Sequence, residues 1–159
     1  MEEFSSEKII EIMKKIRFFN EFTEEELALL LKIAKWVKFE QGDLIIKEGA
    51  LEKTFFIIIK GRVVVKKKKG FLPFKKTISI LSSGESFGEM AFITGSPRSA
   101  DIAVEETTYA LKFDSDDIQK EQGNPQYIRI LFKFFKKFSA TLAERLERAN
   151  RELANPITF

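Results

Sequence analysis

Ser86-Phe87-Gly88-Glu89-Met90-Ala91-Phe92-Ile93-Thr94-Gly95-Ser96-Pro97-Arg98-Ser99-Ala100 is the stretch around which the rest of the chain is organised. It has the parts of a small anion site. Gly88 lets a ligand approach the backbone closely. Glu89 to Thr94 can form a turn or two of helix whose first N–H groups face an anion, and Gly95 can end that helix in the left-handed conformation. Pro97 holds the chain extended ahead of Arg98. Arg98 offers a fixed fork of donors suited to phosphate oxygens, with the Ser99 hydroxyl beside it. An ionised Glu89 only accepts hydrogen bonds, so it suits a sugar hydroxyl and repels phosphate. An acid and an arginine nine residues apart in this setting can hold a ribose and its phosphate together. The same residues also fit a strand–helix–strand crossover in which Glu89 and Arg98 form an ordinary salt bridge.

Outward from this stretch, the period of the apolar residues assigns the elements. Short β-rich runs occupy 36–39, 44–47, 54–60, 62–68, 76–81, 99–104 and 107–113. Turn signals separate them at Gln41-Gly42-Asp43, Glu48-Gly49-Ala50, Lys60-Gly61 and Ser83-Gly84-Glu85. Seven or eight short strands at this spacing predict a mainly β fold, an eight-stranded jelly roll over 36–113. Helical period brackets it. Ile9, Ile12, Met13 and Ile16 predict an amphipathic helix over 6–19. Thr23 and Glu26 form a capping box before Leu27, Leu30, Leu31 and Ala34. After a short helix opening at Asp114-Ser115-Asp116-Asp117, a long one runs from about Pro125 to Leu153, with proline in its first turn. Its apolar line, Leu131, Phe135, Phe138, Leu142, Leu146, Ala149 and Leu153, is close to a heptad seam. The chain thus divides into helices at 1–35, a β-roll at 36–113 carrying the 86–100 segment, and helices at 114–153, all within one domain.

Composition excludes more than it selects. With 44% hydrophobic and 32% charged residues, the balance is that of a globular protein. No apolar run approaches the roughly 18 residues of a membrane span, and Met1-Glu2-Glu3 opens no signal sequence, so a cytoplasmic protein is expected. The absence of cysteine removes disulfides and thiolate zinc sites. The absence of histidine removes most acid–base and triad mechanisms and leaves open only a carboxylate- or lysine-based centre with shifted pKa values; no catalytic centre and no metal are expected. The net charge of +3 is too small to imply nucleic-acid binding. Lys66, Lys67, Lys68, Lys69, Lys75 and Lys76 nevertheless cluster around a turn at Gly70-Phe71-Leu72-Pro73. They read either as a solvated hairpin tip whose charges discourage edge-to-edge pairing or as a surface for an anionic partner.

FGEMAFITGSPRSA, residues 87–100, resembles the phosphate-binding cassette of the cyclic nucleotide-binding domain family, which includes bacterial catabolite activators and the regulatory subunits of cAMP-dependent protein kinase. The resemblance extends through Val37-Lys38-Phe39, Gly42-Asp43, Glu48-Gly49 and Ile58-Ile59-Lys60-Gly61-Arg62-Val63-Val64-Val65, and covers roughly 19–153. It implies that Glu89 binds the ribose 2′-hydroxyl and Arg98 the cyclic phosphate. Ser99 would add a hydroxyl, and the backbone of Gly88, Met90 and Ala91 would complete the cradle. By position, Val65 and Ile78 would wall the purine, with Ser79 beside them, although all three also fit a plain β core. The implied ligand is cAMP, with cGMP as the alternative, since a hydroxyl after the cassette arginine occurs in members binding either.

Two departures from the family stand out. Transcription-factor members continue into a DNA-binding helix-turn-helix domain, whereas only Asn155-Pro156-Ile157-Thr158-Phe159 follows the long helix here. That favours a stand-alone sensor acting on a separate, unidentified effector, or dimerising through the long helix. Leu142 and Ala143 stand where some members carry polar base-reading residues; Phe138, Ser139 and Arg145 are nearby substitutes that also fit core or solvent-facing positions. A scaffold of the same fold that has lost its ligand remains the competing reading, as does, more remotely, an enzyme on a cupin-like roll, which usually needs metal-binding histidines.

Overall fold

A computed structural model describes residues 4–155; the Met1-Glu2-Glu3 start and the Pro156–Phe159 part of the tail lie outside the described residues. The amino-terminal region is helical, as its period dictates. Helix α1 spans Ser6–Lys14 and ends earlier than expected, the chain continuing as a 3-10 turn at Arg17–Phe19. The expected capping box opens α2, Glu24–Ile33: the Glu26 N–H donates to Thr23 Oγ1 at 3.2 Å and the Thr23 N–H to Glu26 Oε2 at 2.9 Å. These two bonds satisfy donors that the first turn of a helix leaves unpaired.

The strands are β1 (Ala34–Phe39), β2 (Leu44–Ile46), β3 (Thr54–Lys68), β4 (Lys75–Ser82), β5 (Ser86–Phe87) and β6 (Asp101–Asp114). All pairings are antiparallel, in the order β1-β6-β3-β4, with β2 also on β6 and β5 also on β3. This corrects the expected mainly β, eight-stranded jelly roll. The described residues are 41% helix and 32% strand, with six strands in an open sheet and five α-helices, a mixed α/β fold.

The reason lies in two breaks that the chain does not make. Gly61 reads as a turn in sequence, yet β3 runs through it with φ +110° and shifted register against β6. A Cβ there would lie 2.5 Å from the carbonyl oxygen of Thr107 and from Thr108 Oγ1, so the glycine lets two strands press together at a bend. On β6, Glu105 and Glu106 do not end the strand either, because Arg62 of β3 pairs with both. Two predicted pairs of short strands therefore become two long ones.

Helix α3 (Glu89–Thr94) follows β5; α4 (Ser115–Gln119) and α5 (Pro125–Ala154) follow β6. The sheet buries apolar side chains on both faces. On β3, Phe55, Ile57 and Ile59 join Leu27, Leu30, Phe134 and Phe138 in a helix-facing core. Phe56 and Ile58 point the other way, to Ile46, Leu81, Phe87 and Ile102. That is the two-residue alternation of a strand, here apolar on both sides. The face of α5 that packs is Tyr127, Ile130, Phe134 and Phe138. Of the predicted apolar line only Phe138 is fully buried, while Leu146 and Leu153 are exposed. No helix among the described residues is long and apolar enough to cross a membrane.

Candidate functional site

The 86–100 segment folds as its residues suggest. Gly88 caps α3 with φ +85°, and Gly95 closes it with φ +70°, its N–H donating to Ala91 O. Gly88 is required for a second reason. A Cβ on it would lie 2.7 Å from Thr54 O and 2.9 Å from Arg98 Nη1. The β2–β3 loop then holds Arg98 by its backbone: its N–H donates to Ala50 O at 2.9 Å and its carbonyl accepts from the Gly49 N–H at 2.8 Å. Arg98 Nη1 donates to Gly88 O at 3.0 Å and Nη2 to Thr54 Oγ1 at 2.7 Å. The guanidinium is thereby fixed in place and almost wholly buried.

Glu89 is 1% exposed. It does not pair with Arg98, which disposes of the ordinary salt bridge as the explanation for both residues. Arg145 of α5 reaches back instead, Nη1 to Glu89 Oε1 at 2.6 Å and Nη2 to the Ser86 carbonyl at 2.8 Å. Burial pushes the Glu89 carboxyl above its ordinary range, against the opposing pull of Arg145 and Arg98. Burial likewise lowers the Arg98 guanidinium, with Glu52 and Glu89 opposing the shift.

The nine residues singled out in the sequence, Val65, Ile78, Ser79, Gly88, Glu89, Met90, Ala91, Arg98 and Ser99, all line one cavity of about 450 Å³. That is within the range of small-ligand pockets, about 300–1,000 Å³. Ile78 is 56% exposed, so it forms the cavity's open edge rather than β core. Among the described residues, three buried side-chain atoms find no partner: Ser86 Oγ, Glu89 Oε2 and Arg98 Nε. All three belong to this one segment. An orphaned buried polar group costs about 1–3 kcal/mol, so this one segment carries an unusual share of unmet hydrogen-bonding capacity beside the cavity.

Sequence reasoning reached the far wall only through Arg145, named there as a substitute base reader, and missed the rest of it. Lys67 lines the cavity and donates to Ser99 O at 2.6 Å. Arg145, Arg148, Ala149 and Glu152 of α5 also line it. Their spacing puts them on one helix face, but nothing local says that this face turns back onto the sheet. Leu142 and Ala143 do not line the cavity, nor do Phe138 and Ser139; Phe138 is core. No cluster of three or more potential metal ligands occurs among the described residues.

Residues 36–122 match the family described as "Cyclic nucleotide-binding domain". The cGMP-dependent protein kinase of Eimeria tenella is 29% identical over 118 residues, covering 74% of this chain and 11% of the kinase. The cGMP-dependent protein kinase 2 of Mus musculus is 30% identical over 131 residues, covering 82% of this chain and 17% of the kinase. The chain thus spans a small fraction of these curated relatives. Among solved structures, a cyclic nucleotide-binding domain from Methylobacillus flagellatus KT has TM-score 0.77 at 24% identity, covering 96% of this chain and 86% of its own. The Thermus thermophilus catabolite activator protein has TM-score 0.71 at 28% identity, covering 86% of this chain and 61% of its own. With more than half of its length matched by the family, this chain belongs to the cyclic nucleotide-binding domain family.

Proposed function

We propose that the chain is a sensor that binds a cyclic purine mononucleotide, cAMP first, in the cavity between the 86–100 segment and α5. The observation that carries this reading is a buried, unpaired-to-each-other Glu89 and Arg98, each with one orphaned polar atom, in one cavity. Arg98 Nε would donate to the cyclic phosphate, where charge-assisted bonds are strongest. Glu89 Oε2, left over by Arg145, would accept the ribose 2′-hydroxyl. The Ser99 hydroxyl and the backbone of Gly88, Met90 and Ala91 would complete the cradle, and Val65, Ile78 and Ser79 would meet the purine.

Signalling follows from the shared carboxylate. Glu89 is held by α5 through Arg145 at one oxygen and would hold the ligand at the other, so ligand and helix meet at one carboxylate. We infer that movement of α5 carries the signal to a separate effector.

The base is the finer question. A regulatory domain of the same fold from Toxoplasma gondii PKA has been solved with cAMP. The second reading, cGMP, is favoured by the cGMP-dependent kinases among the sequence relatives. It is favoured also by Glu152 at the cavity wall, a carboxylate that suits the N–H donors of a guanine edge and not the N1 acceptor of adenine. Calorimetric titration of the protein with each nucleotide tests both. cAMP is expected to bind more tightly, and Arg98→Ala to weaken binding by about 2–5 kcal/mol, roughly 30-fold to several-thousand-fold. Equal affinities of wild type and Arg98→Ala would end the proposal; tighter binding of cGMP would move it to the second base.

A further inference from the structure

The cavity does not use the tip of the β3–β4 hairpin. Pairing of β3 with β6 ends at Lys66 opposite Asp101, while pairing with β4 continues to Lys68 opposite Lys75. The residues beyond form a two-stranded ribbon that projects past its neighbouring strand and turns at Gly70, φ +55°. At its apex Phe71 is fully exposed, Phe74 is 61% exposed and Leu72 is 42% exposed. Behind them stand Lys66, Lys67, Lys68, Lys69, Lys75 and Lys76, and no acidic residue occurs between Glu52 and Glu85.

The register makes this arrangement unfavourable on its own. Lys67 faces Lys76 and Lys68 faces Lys75 directly across the ribbon, and like charges placed so destabilise a sheet. Lys75 finds relief at Asp101, 2.8 Å away, and Lys67 donates to the Ser99 carbonyl. Lys66, Lys68, Lys69 and Lys76 form no ion pair among the described residues. Lysines alone would serve to keep sheet edges apart. Two exposed phenylalanines and a leucine at the apex defeat that purpose, since they create an apolar patch.

We propose that this hairpin tip docks on an anionic phospholipid membrane, the apex side chains entering the interface while the lysines meet headgroup phosphates. The order along the ribbon fits a bilayer surface: apolar at the extremity, cationic immediately behind, so that both are satisfied at one depth. The shape and chemistry fit a nucleic acid less well. The apex is convex rather than a groove, it includes Leu72 and Pro73, and no arginine occurs between Arg62 and Arg98 to fork onto phosphate or base edges. An anionic surface attracts each lysine near it by about 1 kcal/mol, close to fivefold in binding.

Vesicle flotation of the whole chain tests the proposal, comparing pure phosphatidylcholine with phosphatidylcholine containing about one-third phosphatidylserine. The wild type is expected to prefer the anionic vesicles by at least about tenfold. Phe71→Ser with Phe74→Ser should reduce binding to them by about tenfold or more. The joint change of Lys66, Lys68, Lys69 and Lys76 to Gln should abolish the preference. Thermal midpoints report folding, and Phe71→Ser alone, at a fully exposed side chain, serves as a second variant. Equal binding to the two vesicles, or binding unchanged in the phenylalanine variants, overturns the proposal. So does tight binding of a fluorescent single-stranded oligonucleotide that the same variants lose, which would assign the tip to nucleic acid.

Discussion

Glu89 carries two demands on one carboxylate. Its pKa is raised by burial above the unfolded value, with Arg145 pulling the other way. In the folded state it therefore binds a proton more tightly than in the unfolded chain. Its contribution to stability is fully present below the unfolded pKa and is lost as pH rises through the folded pKa. Glu89→Gln removes that dependence. In the absence of nucleotide, the thermal midpoint of the variant minus that of the wild type should increase as pH rises from the unfolded Glu value toward neutrality. A difference that stays flat or falls would mean that Arg145 fully neutralises the burial. The same variant tests the ligand role: replacing a charged acceptor by a neutral one should weaken nucleotide binding by about tenfold, since charged bonds contribute about 1.5–3 kcal/mol and neutral ones about 1. A 2′-deoxy ligand should show little of that loss, whereas losses that simply add would remove Glu89 from the ribose.

At the scale of elements, the turn from β5 into α3 is the joint on which the site depends. Gly88 is left-handed, and any Cβ there presses on the Thr54 carbonyl and on the Arg98 guanidinium. Gly88→Ala is expected to cost about 1–3 kcal/mol in stability from the backbone strain alone, measured by urea denaturation. It should also displace Arg98 and so weaken nucleotide binding beyond what the stability loss explains. Thr23→Ala gives a contrast far from the cavity. It removes the α2 capping box for about 0.5–2 kcal/mol and should leave nucleotide affinity at the wild-type value, as titration of both proteins would show.

At the scale of the whole molecule, α5 presents two different sides. Its inner side packs through Tyr127, Ile130, Phe134 and Phe138, and its last turns lie along the cavity. Ile128, Phe132, Leu146 and Leu153 remain more than half exposed. We propose that this outer side pairs with a second copy across a two-fold seam, because exposed apolar stripes of such length are a liability in a monomer. Light scattering at tens of micromolar protein (an association threshold of roughly 6–7 kcal/mol) should give a dimer mass. Phe132→Glu and Leu146→Glu should each return it to a monomer, and added cyclic nucleotide should shift the balance if α5 moves on binding. Monomer mass in every sample would end the dimer proposal and leave α5 as a wall of the cavity alone.

Much of the site was legible before any fold was known, because its chemistry is packed into consecutive residues. Gly88, Glu89, Arg98 and Ser99 stand out as candidates by side-chain type and spacing within one loop, their roles and Val65, Ile78 and Ser79 only through resemblance, and all seven line the one cavity. Local rules likewise set the Thr23 cap, the glycine at each end of α3 and the start of α5 at Pro125. What the sequence could not show were the relations between distant segments. Gly61 resembles a turn until β6 lies against it, and Glu105-Glu106 a strand end until Arg62 of β3 pairs with them; hence two long strands and an open sheet instead of an eight-stranded roll. Arg145 reads in sequence as a substitute base reader or a solvent-facing residue, and only the packing of α5 along the cavity brings it within 2.6 Å of Glu89, 56 residues earlier in the chain. Short-range geometry is encoded residue by residue, whereas the pairing of a buried charge is decided only by which distant element packs beside it.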